Sequence, residues 1–150
     1  MRRGMAMILA LGFFAAVTAN AQEDAVKQEM KKLQGNWVRI YVEADGKKSE
    51  DGKKEPGQAI TLTINGDKYD GETFKLDPAK SPKHINVSTV DDKGKAIALP
   101  GIYELKGDVL KLCFPFPFEG KFDKIGKRPT EFGSKPGGND VLEVYQREKK

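Results

Sequence analysis

An all-β fold, closed as an antiparallel up-and-down β-barrel of about eight short strands behind a short N-terminal helix, is predicted by three observations. From Gly35 onward the apolar residues recur with a period of two, and helical spacing does not return. Turn signals such as Asn65-Gly66-Asp67 and Lys106-Gly107-Asp108 punctuate these runs at the spacing of a sandwich or barrel. The segment Leu33-Gln34-Gly35-Asn36-Trp37, a G-x-W that carries the single tryptophan, stands directly before the first alternating run. Closure accounts for strands this short, because a barrel has no open edge to protect.

The chain begins with two arginines, an apolar run from Met5 through Val17, and Ala19-Asn20-Ala21. That order is the form of an export signal cut after Ala21, which divides the chain into a signal peptide over 1–21 and one domain over 22–150. The apolar run is shorter than the ~20 residues a bilayer-spanning helix needs. The mature protein is therefore expected in the periplasm or outside the cell, without a stable membrane anchor. No cysteine lies in the leader, which argues against a lipid-modified N-terminus.

After the leader, Glu23 to Leu33 has helical spacing: Ala25, Val26, Met30 and Leu33 fall on one stripe, and Lys27, Lys31 and Lys32 lie off it. A short lid helix is expected there. Asn36–Glu43 and Ile60–Ile64 then alternate as strands, followed by short runs around Phe74 and Leu76 and around Ile85 and Val87. Gly101–Leu105 and Val109–Cys113 form a hairpin across Lys106-Gly107-Asp108, and Leu142 with Val144 marks a last strand. Tyr69 and Pro129–Phe132 complete the count as short strands. Ala44–Gln58, rich in Gly, Lys and Glu, reads as a solvated loop with no site in it.

Composition narrows the function. The 150 residues, 38% hydrophobic and 32% charged, make one soluble domain with a core of its own. The formal charge of +4 includes Arg2 and Arg3 of the leader; without them 24 basic residues face 22 acidic ones, a net +2. Opposite charges are interleaved, as in Lys47-Lys48-Ser49-Glu50-Asp51, so no one-signed field tracks nucleic acid phosphates.

The inventory for catalysis is thin. One histidine, His84, and one cysteine, Cys113, do not assemble a His/Cys metal site, and no zinc-protease, serine-hydrolase or EF-hand motif occurs. His84 alternates away from Ile85 and Val87 and is expected to face solvent. Cys113 lies in an apolar run and reads as a buried small hydrophobe, leaving no internal disulfide. Asp91-Asp92-Lys93-Gly94 reads as a turn, lacking the spaced oxygen ligands of a calcium loop. No cofactor, no metal and no catalytic residue is assigned, and the chain is not expected to be an enzyme.

The stretch that does suggest binding is Phe114-Pro115-Phe116-Pro117-Phe118. Alternating proline works against ladder pairing, while phenylalanine supplies apolar surface. Phe114, Phe116 and Phe118 either line one mouth of the barrel as a ligand site or plug it as core; packing in the core is the commoner fate of aromatic clusters.

The G-x-W segment, Gly71–Leu76 with the following Asp77-Pro78-Ala79-Lys80-Ser81-Pro82-Lys83-His84-Ile85, the hairpin Gly101–Cys113, and Arg128-Pro129-Thr130-Glu131-Phe132 together resemble a family of small exported lipocalin-like, calycin-type domains abundant in planctomycete bacteria. The resemblance covers essentially the mature chain, and its hairpin pattern Gly-x-Tyr-x-Leu-x-Gly-Asp-x-Leu is the more specific part. It implies the fold and export. That family has no assigned activity, so no catalytic residue is carried over. The Gly35-x-Trp37 unit is also similar to the lipocalin signature, in which the tryptophan closes one barrel end under an arginine of the last strand. Arg147 is the candidate for that arginine, the alternative being a residue simply exposed in the charged tail Arg147-Glu148-Lys149-Lys150. Two roles in different classes follow: a binder of a small apolar ligand at the barrel mouth, or an inhibitor-like module with a filled barrel that contacts another protein of the cell envelope.

Overall fold

The computed structural model describes residues 14–51, 59–91, 93–116 and 125–149. One helix, α1 (Phe14–Leu33), precedes nine strands: β1 (Gly35–Ala44), β2 (Lys47–Glu50), β3 (Thr61–Asn65), β4 (Lys68–Tyr69), β5 (Glu72–Asp77), β6 (Lys83–Val90), β7 (Ala96–Lys106), β8 (Val109–Pro115) and β9 (Asp140–Arg147). Every pairing is antiparallel, and β1 also pairs with β9, so eight strands close into a lipocalin-like barrel. The ninth, β2, is an appendage. It extends the upper half of β1, where Tyr41 faces Glu50, while the lower half of β1 pairs with β3.

The period-two pattern fixes which residues enter the barrel. Leu62 and Ile64, Phe74 and Leu76, Ile85 and Val87, then Leu110, Leu112 and Phe114 alternate inward, and with Trp37, Tyr103 and Tyr145 they form the main core. The intervening outward residues Ile102, Cys113, Leu142 and Val144 form a smaller cluster on the opposite face of the wall. Phe132 packs on that cluster from the connection between β8 and β9. Cys113 is fully buried, burial pushes its thiol up to about 11, and it donates weakly to the Gly133 carbonyl at 3.6 Å. It is inert filling.

Four expectations need correction. Within the described residues the helix already runs from Phe14, upstream of Glu23, because the apolar and alanine-rich residues before Glu23 continue the same helical backbone. The stretch expected as a loop over Ala44–Gln58 holds a strand in its described part, residues 44–51: Asp45-Gly46 turns the chain, with both residues at positive φ, and Lys47–Glu50 pairs back on β1, while residues 52–58 lie outside the described residues. Pro129–Phe132 is not a strand; it belongs to an irregular stretch on the outer wall, anchored by the burial of Phe132 and by Arg128. The Phe-Pro stretch starts as strand, since Phe114 and Pro115 pair with Val141 and Asp140. Proline is tolerated there because the pairing of β8 with β7 ends at Cys113, so Pro115 has no ladder partner on that side to require its missing N–H.

Candidate functional site

The two ends of the barrel differ, one closed by the helix and Trp37 and the other open. After Leu33 the chain must leave the helix and enter β1 within two residues, which Gly35 allows by adopting φ 124°. Trp37 then points into the barrel, is fully buried, and donates from Nε1 to the Leu33 carbonyl at 3.0 Å. The Arg147 guanidinium lies 4.1 Å from the Trp37 ring and donates to the carbonyls of Lys32 (2.7 Å) and Gln34 (2.6 Å). These are carbonyls that the end of a helix leaves without intrahelical donors. Glu29 fastens the helix from above through Lys83 (2.9 Å), Lys32 (3.1 Å) and the Tyr103 hydroxyl (3.3 Å). Gly35, Trp37 and Arg147 are thus brought together, and the lid is sealed by hydrogen bonds as well as by apolar packing.

The opposite end opens. A cavity of about 340 Å³ lies between Ile60, Tyr69, Val87, Leu99, Phe114 and Phe116, with Thr61, Thr89 and Tyr145 among its other walls. The wall is low here because β4 has two residues only. Phe114 and Phe116 meet this cavity differently. Phe114 is 6% exposed, points inward and makes an edge contact with Tyr69 at 6.3 Å between ring centroids. Phe116 is 51% exposed and stands at the rim, where its N–H donates to the Asn139 carbonyl. Phe118 lies outside the described residues.

Below the cavity is a charged group with no signature in the sequence. Arg39, pointing inward one turn of the pleat above Trp37, donates to Asp51 (2.5 Å) and to Glu143 (2.7 Å). Asp51 sits beyond the end of β2, and its N–H donates to the Ile40 carbonyl. The register of β1 against β9 slips between Arg39 and Tyr41. This bulge lets Arg39 face the interior while Tyr41 turns to the outer cluster, and it places Arg39 beside Glu143. The Asp51 and Glu143 carboxylates hold the Arg39 guanidinium well above its usual range, against the opposing effect of burial. Only the Asp45-Gly46 turn, read as a hairpin, would have pointed to β2 and hence to Asp51 in the interior.

His84 lies on the outward face of β6, half-buried, and burial together with the nearby Arg128 charge lowers its pKa. No partner places it as a base toward the cavity. Among the described residues no group of His, Cys, Asp and Glu is arranged to hold a metal ion, and no helix is long and apolar enough to cross a membrane.

Among the described residues, the closed barrel, its tryptophan lid and its open mouth define a lipocalin-like architecture. No family model matches the chain, and no curated protein or solved structure matches it. The function has to be argued from the mouth itself.

Proposed function

We propose that the protein is an exported, non-catalytic binder of a small apolar or amphipathic ligand, held in the barrel mouth between Phe114, Phe116 and the facing walls. The observation that carries this reading is the cavity of about 340 Å³ at the end away from the helix, within the ~300–1,000 Å³ typical of small-ligand sites. Its walls are aliphatic and aromatic, with a few hydroxyl and carboxylate groups to set orientation. Phe114 forms part of the inner wall and Phe116 is free to cover a bound molecule. Export follows from the leader, and protein from the cell envelope should begin at Gln22 on N-terminal sequencing.

The test is a titration of the purified protein with N-phenylnaphthylamine, a neutral apolar fluorophore. Saturable binding of one molecule per chain with micromolar affinity, worth ~8 kcal/mol, supports the reading. A signal that rises without saturating overturns it. A second reading, an envelope module that contacts another protein, draws on the filled lower barrel and on exposed Phe116 and Ile60 at the rim. It predicts no saturable uptake of the probe.

A further inference from the structure

At the mouth one hydroxyl is left without an acceptor. Tyr69 lines the cavity from β4, and its ring is held edge-on by Phe74 and Phe114, with ring centroids 6.5 and 6.3 Å away. Among the described residues the Tyr69 hydroxyl makes no hydrogen bond. Among those same residues every buried side-chain oxygen or nitrogen that is sealed from solvent does have a partner, so the Tyr69 oxygen stands at a surface that solvent reaches. The charges it feels are those of Glu143 and Asp70, which line the same cavity, and this puts the oxygen on the cavity side of the ring. Burial first, and then the negative potential of these two carboxylates, raises its pKa far above the usual range, so the group keeps its proton and remains a donor. The second phenol of the cavity is already committed: the Tyr145 hydroxyl is engaged by Glu143, which also accepts from Arg39.

Water can accept the Tyr69 bond until a ligand enters. A ligand that displaces this water must bring an acceptor of its own, or it leaves a phenol unpaired against apolar walls, which costs more than a hydrogen bond ordinarily contributes. A hydrocarbon has no acceptor to offer, and an ammonium group brings donors only. A carboxylate accepts, but it would stand among Glu143, Asp70 and Glu72, with no lysine or arginine among the described residues that line the cavity. A carbonyl oxygen accepts without adding charge.

Resting on the mouth being a ligand site, we propose that its ligand is a neutral amphiphile whose polar end is a carbonyl oxygen, that of a ketone or an ester, accepting from the Tyr69 hydroxyl. The apolar part lies between Val87, Leu99 and Phe114.

The experiment titrates the protein and its Tyr69→Phe variant with two neutral fluorophores: prodan, a naphthalene that carries one ketone, and N-phenylnaphthylamine, which carries no oxygen. The substitution removes a single oxygen and keeps the ring that meets Phe74 and Phe114. Prodan should bind the variant about fivefold more weakly than wild type, the worth of one neutral hydrogen bond, while N-phenylnaphthylamine binds the variant at least as well as wild type. A reading on the wild-type protein needs no variant: bound prodan should emit at longer wavelength than in an aprotic solvent, because a hydrogen bond to its ketone shifts the emission to the red. Equal weakening of both dyes would assign the effect to the ring and overturn the proposal. Prodan binding untouched by the substitution, or bound prodan emitting as in an aprotic solvent, overturns the carbonyl while leaving the mouth as a ligand site, and so does saturable binding of N-phenylnaphthylamine where prodan does not bind. Failure of both dyes to bind removes the ligand site itself.

Discussion

The guanidinium of Arg147 stacks 4.1 Å from the ring of Trp37 while donating two hydrogen bonds to the backbone that joins helix to barrel. One side chain thus ties the last strand to the first and to the end of α1. The tryptophan supplies the apolar seal, and the arginine satisfies carbonyls that would otherwise face the barrel end unpaired.

Trp37→Ala is expected to destabilise the protein by ~3–5 kcal/mol, the range for emptying a large buried aromatic site. Arg147→Ala should cost less, ~1–3 kcal/mol, because the guanidinium is partly exposed and water can reach some of the carbonyls it leaves. Denaturant melts of both variants decide it. A Trp37→Ala midpoint within a few tenths of a kcal/mol of wild type would mean that the lid is not what holds this end shut.

The Glu29 anchor makes the lid sensitive to acid. Burial alone would raise the Glu29 pKa, but hydrogen bonds and charge from Lys83 and Lys32 outweigh it and hold the carboxyl below its ordinary 4.5. A lowered folded-state value means that the contribution is present above the unfolded pKa and is lost as pH falls through the folded one. Asp140, raised by burial, works in the opposite sense over the neighbouring pH range. Thermal melts from pH 7 down to pH 3 should therefore show a smaller loss of stability in Glu29→Gln than in wild type. Parallel curves would mean that Glu29 titrates alike in the folded and unfolded chain.

The parts of this architecture that are legible in the sequence are those where burial alternates. Leu62 and Ile64, Ile85 and Val87, and Leu110 and Leu112 each announce a strand, because one face of the wall is dry and the other wet. Strand β2 is exposed along its whole length, so Lys47–Glu50 carries no alternation to detect. The Arg39 group was hidden for another reason. Its members are separated by 12 and 104 residues, and the bulge after Arg39 breaks the very alternation that tells inward from outward. Phe114 and Phe116 each precede a proline yet differ in burial, a difference set by where β8 runs out of partners.

At Gly101 the two strands around that boundary are in close contact. A Cβ built on it would overlap the Phe114 ring at Cε1, so the ring rests directly on the β7 backbone. Arg128 sits at the same place, donating to the carbonyls of Ile85 (3.0 Å) and Gly101 and to the Asn86 side chain (2.7 Å). The ring has little room to retreat. Gly101→Ala should cost ~1–3 kcal/mol through overpacking, and the cost should fall in a Phe114→Ala background, where the obstructing ring is gone. A double-mutant cycle measures this coupling, which should be clearly non-additive. Additive losses would place Phe114 away from Gly101 in solution.

The last expectation separates the two phenylalanines of the mouth. Phe114 is packed against Tyr69 and the Gly101 backbone, so Phe114→Ser should lower stability by ~3 kcal/mol or more, since it empties a core site and adds a buried hydroxyl. Phe116 is half-exposed and contributes its ring chiefly to the cavity, so Phe116→Ser should leave the melting midpoint nearly unchanged. If the cavity holds a ligand, the same Phe116→Ser variant should bind N-phenylnaphthylamine several-fold more weakly, because the ring that covers the bound molecule is lost. The pair of measurements, a melt and a titration on each variant, separates wall from cover. A Phe116→Ser protein that melts early would show that this ring is packed as a plug. One that melts normally and binds the probe as well as wild type would place the bound molecule elsewhere on the chain.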